Sequence, residues 1–151
     1  MKKKRQSGFT LVEVLIVVVI MAILAAAIIP QFSDSSNDAK LGTAEFNWHT
    51  IKSQIELYKS QHDGILPDTL SELTIKTNAA GTTNVADGPL VYGPYISELP
   101  ENPWNNKATE VAVTAAPTAY SAADGWYYYA LTGQVWIAGK EGGVFKLIGD
   151  N

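Results

Sequence analysis

The residues with the clearest chemical potential lie near the start of the chain, where one acid stands inside an apolar segment. Glu13 interrupts a largely apolar run that extends from Phe9 to Ile29. Within a membrane, a carboxylate in such a run is rarely kept without a partner. Cleavage of the chain between Gly8 and Phe9 would create an α-amino group four residues before Glu13. The amine of one copy and the carboxylate of its neighbour would then form an ion pair.

The apolar segment that must position these groups is long enough to cross a bilayer. As a helix, residues 9–29 would extend about 32 Å, and the hydrocarbon core of a bilayer is about 30 Å thick. Four basic residues precede the segment: Lys2, Lys3, Lys4 and Arg5. Positive charge before a spanning helix keeps its N-terminal end in the cytoplasm, so the residues that follow belong on the far side. We therefore predict one membrane helix over residues 9–30 and one exported domain over residues 31–151.

The residues around this cleavage point form a recognisable signature. Residues 8–30, GFTLVEVLIVVVIMAILAAAIIP, resemble the class III signal of the type IV pilin superfamily, which includes the pseudopilins of type II secretion. In that family a prepilin peptidase cleaves after the glycine, the new N-terminal phenylalanine is N-methylated, and a glutamate at the fifth mature position guides assembly. The resemblance implies a leader that ends at Gly8, methylation of Phe9, an assembly role for Glu13 and a helix kink at Pro30.

Two other interpretations of the N-terminus compete with this one. An ordinary secretory signal peptide also has a basic start, an apolar stretch and a run of small residues like the alanines at 25–27. The acid at position 13 and the helical pattern that resumes after Pro30 disfavour it. A plain signal anchor would leave the acid unpaired and the cleavage junction without a role.

Composition and charge bound what the exported part can be. In a chain of 151 residues, removing the leader, residues 1–8, leaves a membrane helix and room for one compact domain. The residues after Pro30 carry 7 basic and 14 acidic side chains, a balance of −7, so nucleic acid is not an expected partner. Since the chain has no cysteine, its stability must come from packing or from a bound ion rather than from a disulfide.

The first part of the exported domain has the pattern of an amphipathic helix over residues 31–62. Apolar side chains recur there at spacings of three and four, which places them on one face of the helix. These are Leu41, Ala44, Trp48, Ile51, Ile55 and Tyr58. Asp63-Gly64 then ends the helix, because glycine suits the left-handed position that follows a helix.

Two further features are predicted between this helix and the strands. A short helix over residues 67–73 has Asp68 as its N-cap and directs Leu70 and Leu73 inward. Residues 76–89 are rich in Gly, Asn, Thr and Ala and are predicted to form a long loop.

Residues 93–105, GPYISELPENPWN, carry a second resemblance. They are similar to the GPYL-x-x-LP-x-(D/N)PW-(G/N) stretch of major type II secretion pseudopilins. Prolines fix the backbone of this segment, and Tyr95, Leu99 and Trp104 supply large side chains that anchor it to a core. Within the superfamily, this stretch favours a pseudopilin over an adhesive pilin.

The C-terminal third is predicted to contain the sheet. Four runs have strand character: 110–114, 126–131, 134–138 and 144–148. Thr132-Gly133 indicates a hairpin between the second and third runs. The aromatic run Trp126–Tyr129 is interpreted as core rather than as a ligand-stacking platform. Together these elements predict an α+β, pilin-like fold with a long N-terminal helix packed on a small antiparallel sheet.

The sequence contains no motif of a known catalytic centre. It lacks G-x-S-x-G, G-x-G-x-x-G, a P-loop and H-E-x-x-H, and its two histidines, His49 and His62, are thirteen positions apart on what is predicted to be a solvated helix. We therefore predict that the protein is not an enzyme and requires no cofactor.

Calcium is the one ion that the resemblance suggests, since major pseudopilins hold it in a loop of the sheet region through aspartates and carbonyl oxygens. In residues 117–125 the only carboxylate is that of Asp124, whereas calcium takes about six to eight oxygen ligands. Asp124 is either a calcium ligand or the polar residue of an Asp-Gly turn, and the turn is favoured.

The resemblance implies a subunit that polymerises into a helical filament, most like the major pseudopilin that drives protein secretion across the outer membrane. Its implied partners are further copies of itself, the prepilin peptidase, minor pseudopilins, an assembly platform with its ATPase, and the bacterial inner membrane. The domain would lie in the periplasm before assembly. Two alternatives stay open: a major type IV pilin for adhesion, motility or DNA uptake, and an anchored periplasmic binding module that never polymerises.

Overall fold

The computed structural model describes residues 8–141 and 143–150 of the chain. One long helix and four strands form its framework, with two short 3-10 helices between them. The elements are α1 (Leu11–Gln61), the 3-10 helices Leu70–Thr74 and Val85–Asp87, β1 (Glu110–Ala112), β2 (Trp126–Tyr129), β3 (Gln134–Glu141) and β4 (Val144–Gly149). The chain divides into two compact units, Met1–Asp38 and Ala39–Asn151, hereafter the N-terminal and C-terminal units. The predicted leader lies outside the described residues except for Gly8.

The described part of the N-terminal unit is mostly the first part of α1, and it buries almost none of its apolar side chains. Val18 is 58% exposed and Ile23 is 66% exposed. A helix that is apolar on all sides is stable only when another apolar surface surrounds it. Pro30 lies inside α1, and the helix continues through it. The bend expected at Pro30 remains a prediction.

The C-terminal unit has a true core, built where the amphipathic face of α1 meets the sheet. Ile51 and Ile55 are completely buried and pack in one cluster with aromatic and aliphatic residues from the strands and the first 3-10 helix. The cluster contains Ala44, Ile51, Ile55, Tyr58, Leu70, Leu73, Trp126, Tyr128, Val135 and Ile137. Trp48 is half-buried beside it and donates its indole hydrogen to the carbonyl of Val135 at 3.0 Å. The predicted helix face and the predicted α+β class are confirmed.

The sheet has the strand order β1-β2-β3-β4. The β2–β3 and β3–β4 pairs are antiparallel, as predicted, and Gly133 has the expected positive φ in the turn between β2 and β3. The β1–β2 pair, however, is parallel. A parallel pair needs a connection of about a dozen residues or more, and residues 113–125 supply it. We call this segment the crossover. The sheet is therefore mixed rather than antiparallel.

The short helix predicted over residues 67–73 is instead the 3-10 helix Leu70–Thr74. Its N-cap is Thr69 rather than Asp68, and the Thr69 side chain makes no capping hydrogen bond to the helix backbone. A residue distant in sequence replaces that bond, since the backbone N–H of Leu70 donates to the Glu110 carboxylate at 2.7 Å. Leu70 and Leu73 are buried, as predicted.

The segment predicted to be a loop, residues 76–89, is organised around the buried side chain of Asn78. Its carbonyl oxygen accepts the backbone N–H groups of Ala80 and Thr82, both at 3.0 Å. The hydroxyl of Tyr58 then donates to the Glu72 carboxylate at 3.0 Å and lies 3.3 Å from the carbonyl of Gly81. These contacts tie the loop to the core.

The proline-rich stretch and the end of the chain are also fixed to the C-terminal unit. Tyr95, Leu99 and Trp104 are partly buried against the core, as predicted. A Cβ at Gly139 would collide with the Trp104 ring, so the ring lies directly over that glycine. Asp150 forms a salt bridge of 3.0 Å with Lys52.

Candidate functional site

The Gly8–Phe9 junction precedes α1 and is fully accessible. The side chain of Phe9 is 86% exposed. A Cβ built at Gly8 would meet no other atom within 4 Å. Among the described residues nothing covers this peptide bond, and a larger side chain at position 8 would meet none of their atoms within 4 Å.

Glu13 has partners within its own chain, and Thr10 provides them. The backbone N–H and the hydroxyl of Thr10 donate to Oε2 of Glu13 at 2.8 and 2.9 Å. The backbone N–H of Glu13 lies 3.2 Å from the hydroxyl oxygen of Thr10. This reciprocal arrangement is a capping box, which satisfies N–H groups that a helix N-terminus otherwise leaves unpaired. The ion pair predicted between Glu13 and a neighbouring amine is a further contact that this box does not exclude.

Thr10 is a residue that the sequence analysis did not single out. The signal was present, because Thr10-Leu11-Val12-Glu13 has the T-x-x-E spacing of a capping box immediately before an apolar run. The family resemblance implies a role for the acid but none for Thr10.

Beyond the capping box, the site is a surface of exposed aliphatic side chains. From Leu11 to Ile29 these side chains cover all sides of α1, and nothing in the described part of the unit covers them. By length and composition this helix is able to cross a membrane. Such a surface binds lipid tails or the equivalent surface of another helix. The chain is thus able to lie in the inner membrane, anchored by this helix.

Asp124 lies in the crossover, far in sequence from the other predicted site residues. Its Oδ2 accepts the Tyr127 hydroxyl at 3.1 Å, and its backbone carbonyl accepts the side-chain amide of Asn105 at 2.7 Å. Burial, together with the hydrogen bond to Asp124, raises the pKa of Tyr127 to about 12. Within the described residues, no group of three or more His, Cys, Asp or Glu side chains is placed to hold a metal ion. The donor set around Asp124 therefore does not fit calcium.

The two histidines lie in different environments. His49 is exposed, but His62 is completely buried, contrary to the expectation of a solvated position. Nδ1 of His62 lies 2.7 Å from the carbonyl of Tyr58, and Nε2 lies 2.9 Å from the hydroxyl of Thr77. A carbonyl only accepts, so Nδ1 carries a hydrogen; in the neutral tautomer with that hydrogen, Nε2 accepts from the Thr77 hydroxyl. His62 is buried because α1 ends at Gln61 and the turn that follows folds the ring onto Tyr58. Its role is structural.

Comparisons with known proteins bear on both units. A family model described as the prokaryotic N-terminal methylation motif matches residues 3–29. The chain is 34% identical over 108 residues to type II secretion system core protein G of Aeromonas hydrophila. The aligned region covers 70% of this chain and 73% of the relative. The proteins of the same name from Pseudomonas aeruginosa and Vibrio cholerae are 33% and 32% identical, covering 70% of this chain and 73% and 70% of the relatives. No solved structure matches the chain significantly.

Proposed function

Because the chain belongs to the family of type II secretion system core protein G, we propose that it is the major pseudopilin of such a system and polymerises into a helical filament. The observation that carries this proposal is the apolar first part of α1, exposed on all sides, with an accessible cleavage junction and a capped acid at its start. The name shared by the relatives supports secretion over adhesion, motility or DNA uptake. A filament subunit would cover this apolar surface with the same helix of its neighbours, and a membrane-anchored binding module would cover it with lipid. The name shared by the relatives, rather than the exposed surface, therefore favours the filament subunit.

The subunit begins in the inner membrane, with its C-terminal unit in the periplasm. A prepilin peptidase removes the leader at Gly8, and Phe9 becomes the methylated N-terminus. The membrane supplies the apolar surroundings that the first part of α1 requires, so the unassembled subunit is stable there.

Extraction from the membrane and addition to the filament have to be coupled. A helix that moved from lipid into water would expose aliphatic surface at a cost of about 25 cal/mol per Å². Packing against the same surface of neighbouring subunits removes that area from water again. An assembly platform with its ATPase supplies the work of extraction, minor pseudopilins begin the filament, and its growth moves secreted proteins through the outer membrane.

Glu13 gives this packing its register. Both bonds from Thr10 end on Oε2 of Glu13, which leaves Oε1 for the α-amino group of Phe9 in an adjacent subunit. The acid of one helix and the amine of its neighbour come close only when the two helices are aligned along the filament axis. The ion pair therefore favours one position of each subunit along that axis.

The test separates the charge of Glu13 from its capping role. Glu13→Gln preserves the capping box, because glutamine serves equally at that position, but it removes the negative charge. We expect Glu13→Gln and Glu13→Ala to be inserted and cleaved normally and to yield few filaments, as measured by shearing and by cross-linking in cells. Glu56→Ala, which removes an exposed acid from the same helix, is the matched control and should assemble normally.

Two outcomes would contradict the proposal at different levels. A normal filament yield from Glu13→Gln would refute the ion pair, leaving the capping box as the function of the acid. Subunits that are cleaved and inserted but cross-link only as monomers in the wild-type protein would refute the filament itself.

A further inference from the structure

The crossover is tied to a neighbouring turn by side-chain amides and hydroxyls. The side-chain amide of Asn105 donates to two backbone carbonyls of the crossover, those of Ser121 at 3.2 Å and Asp124 at 2.7 Å. Close by, the hydroxyl of Thr109 donates to the carbonyl of Ala123 at 2.9 Å. Three carbonyl groups near the end of the crossover thus point at hydrogen-bond donors of the same chain.

Asn105 is itself held in place by the turn it belongs to. Its side-chain oxygen accepts the backbone N–H of Lys107 at 3.0 Å, so the amide nitrogen is directed at the crossover. The buried side chain of Asn102 fixes this turn, because its amide donates to the carbonyls of Gly125 and Ala138 at 3.3 and 2.8 Å. The donor of Asn105 is therefore preorganised before it meets its two acceptors.

Carbonyl oxygens that converge on one point need a positive partner, and either a cation or an N–H group satisfies them. The resemblance to major pseudopilins implies a calcium ion in a loop of the sheet region, bound by aspartates and carbonyl oxygens. Here the carbonyls of Ser121 and Asp124 face an amide, and the Asp124 carboxylate faces the Tyr127 hydroxyl. These three oxygen atoms are therefore already paired with protein donors.

We propose that the Asn105 side-chain amide takes the place of a bound calcium ion in this protein, so that the C-terminal unit folds and remains stable without the ion. The side-chain amide is neutral, so two carbonyl acceptors are enough to satisfy its donors. Calcium needs several charged oxygen ligands. The crossover supplies the two carbonyls but only one carboxylate, that of Asp124, so it suits the amide and not the ion.

Thermal unfolding of the full chain in mild detergent tests this directly. All four tryptophans, Trp48, Trp104, Trp126 and Trp136, lie in the C-terminal unit, so tryptophan fluorescence reports on that unit alone and filament formation does not enter the measurement. We expect the wild-type Tm to be the same in excess EDTA, in calcium and in magnesium. A wild-type Tm that rises in calcium over EDTA would overturn the proposal, whatever the variants do.

Two matched variants locate the effect. Asn105→Asp replaces the donor by a carboxylate oxygen that faces two carbonyls, which should lower the Tm by about 5–10 °C in EDTA. Because the substitution adds a second carboxylate beside Asp124, calcium should restore part of that loss. Asn106→Asp makes the same change at an exposed neighbour and should leave the Tm unchanged. An unchanged Tm for Asn105→Asp in EDTA, or a loss that calcium does not reduce, would show that the amide does not occupy a cation's position.

Discussion

The two units of the chain share one helix but derive their stability from different sources. In the N-terminal unit, aliphatic residues such as Val18 and Ile23 are exposed on every side of α1. In the C-terminal unit, Ile51 and Ile55 of the same helix are completely buried. The change follows the sequence pattern, since uniform apolarity gives way to an apolar stripe where the chain supplies its own sheet as a partner. The part of α1 that is apolar on all sides is therefore the part whose surface another molecule has to cover.

Polar groups differ between the units in the same way. The acid of the apolar segment, Glu13, finds its hydrogen bonds three residues away, at Thr10. In the C-terminal unit the Glu110 carboxylate binds the N–H of Leu70, 40 residues earlier. The polar contacts of the first unit thus join adjacent residues, whereas those of the second unit join residues that are distant in sequence.

The largest expected effect is a loss of leader cleavage, which involves only the N-terminal unit. Gly8→Val should abolish leader cleavage by crowding the peptidase, and with it filament formation. Because a Cβ at Gly8 meets no atom of the described residues within 4 Å, unfolding of the C-terminal unit should not change. Mass spectrometry of the membrane fraction identifies the N-terminus, and tryptophan fluorescence monitors unfolding. A mature N-terminus at a residue other than Phe9, or after Ala27, would be inconsistent with the predicted processing.

The next effect should appear in the second unit alone. Trp104→Ala removes a ring that lies over Gly139, and truncation of a large aromatic residue in a core costs about 3 kcal/mol or more. We expect this loss in urea unfolding of the full chain, with normal insertion and cleavage but poor assembly. Phe46→Ala, at a site that is 71% exposed, is the matched control and should change stability by less than about 0.5 kcal/mol. A loss below about 1 kcal/mol for Trp104→Ala would mean that its ring contributes little to the core and serves instead as a docking surface.

The smallest effect is a pH dependence that only the second unit should show. Burial raises the pKa of Glu110 above its ordinary value of 4.5, and burial likewise raises the pKa of Glu72. Between the unfolded and folded pKa values these two carboxyls bind more protons in the folded state. The stability that they contribute is therefore fully present below pH 4.5 and is lost as the pH rises through their folded pKa values.

Glu110→Gln should reduce this fall while keeping an oxygen that accepts from Leu70. Urea unfolding at a series of pH values measures it, and Glu98→Gln, at an exposed carboxyl, is the control. An unaltered pH profile in Glu110→Gln would assign the whole dependence to other groups.

The sequence predicted those features that depend on neighbours along the chain. The extent of α1, the positions of the four strands and the β2–β3 turn at Gly133 follow from local periodicity or spacing, and the methylation motif follows from a resemblance carried by contiguous residues. The parallel pairing of β1, the burial of His62 and the capping of Leu70 by Glu110 depend on segments that meet only in the folded state. Thr10 is the exception, because its spacing to Glu13 was visible in the sequence.

The Thr10–Glu13 capping box also bears on the timing of assembly. In the proposed filament subunit, the acid already has hydrogen bonds before any second copy is present. A newly processed molecule is therefore not driven towards the first neighbour it meets, and a reservoir of monomers can accumulate in the bilayer. For the proposed filament, we therefore expect growth to be limited by how fast subunits are drawn from that reservoir rather than by how fast they are synthesised.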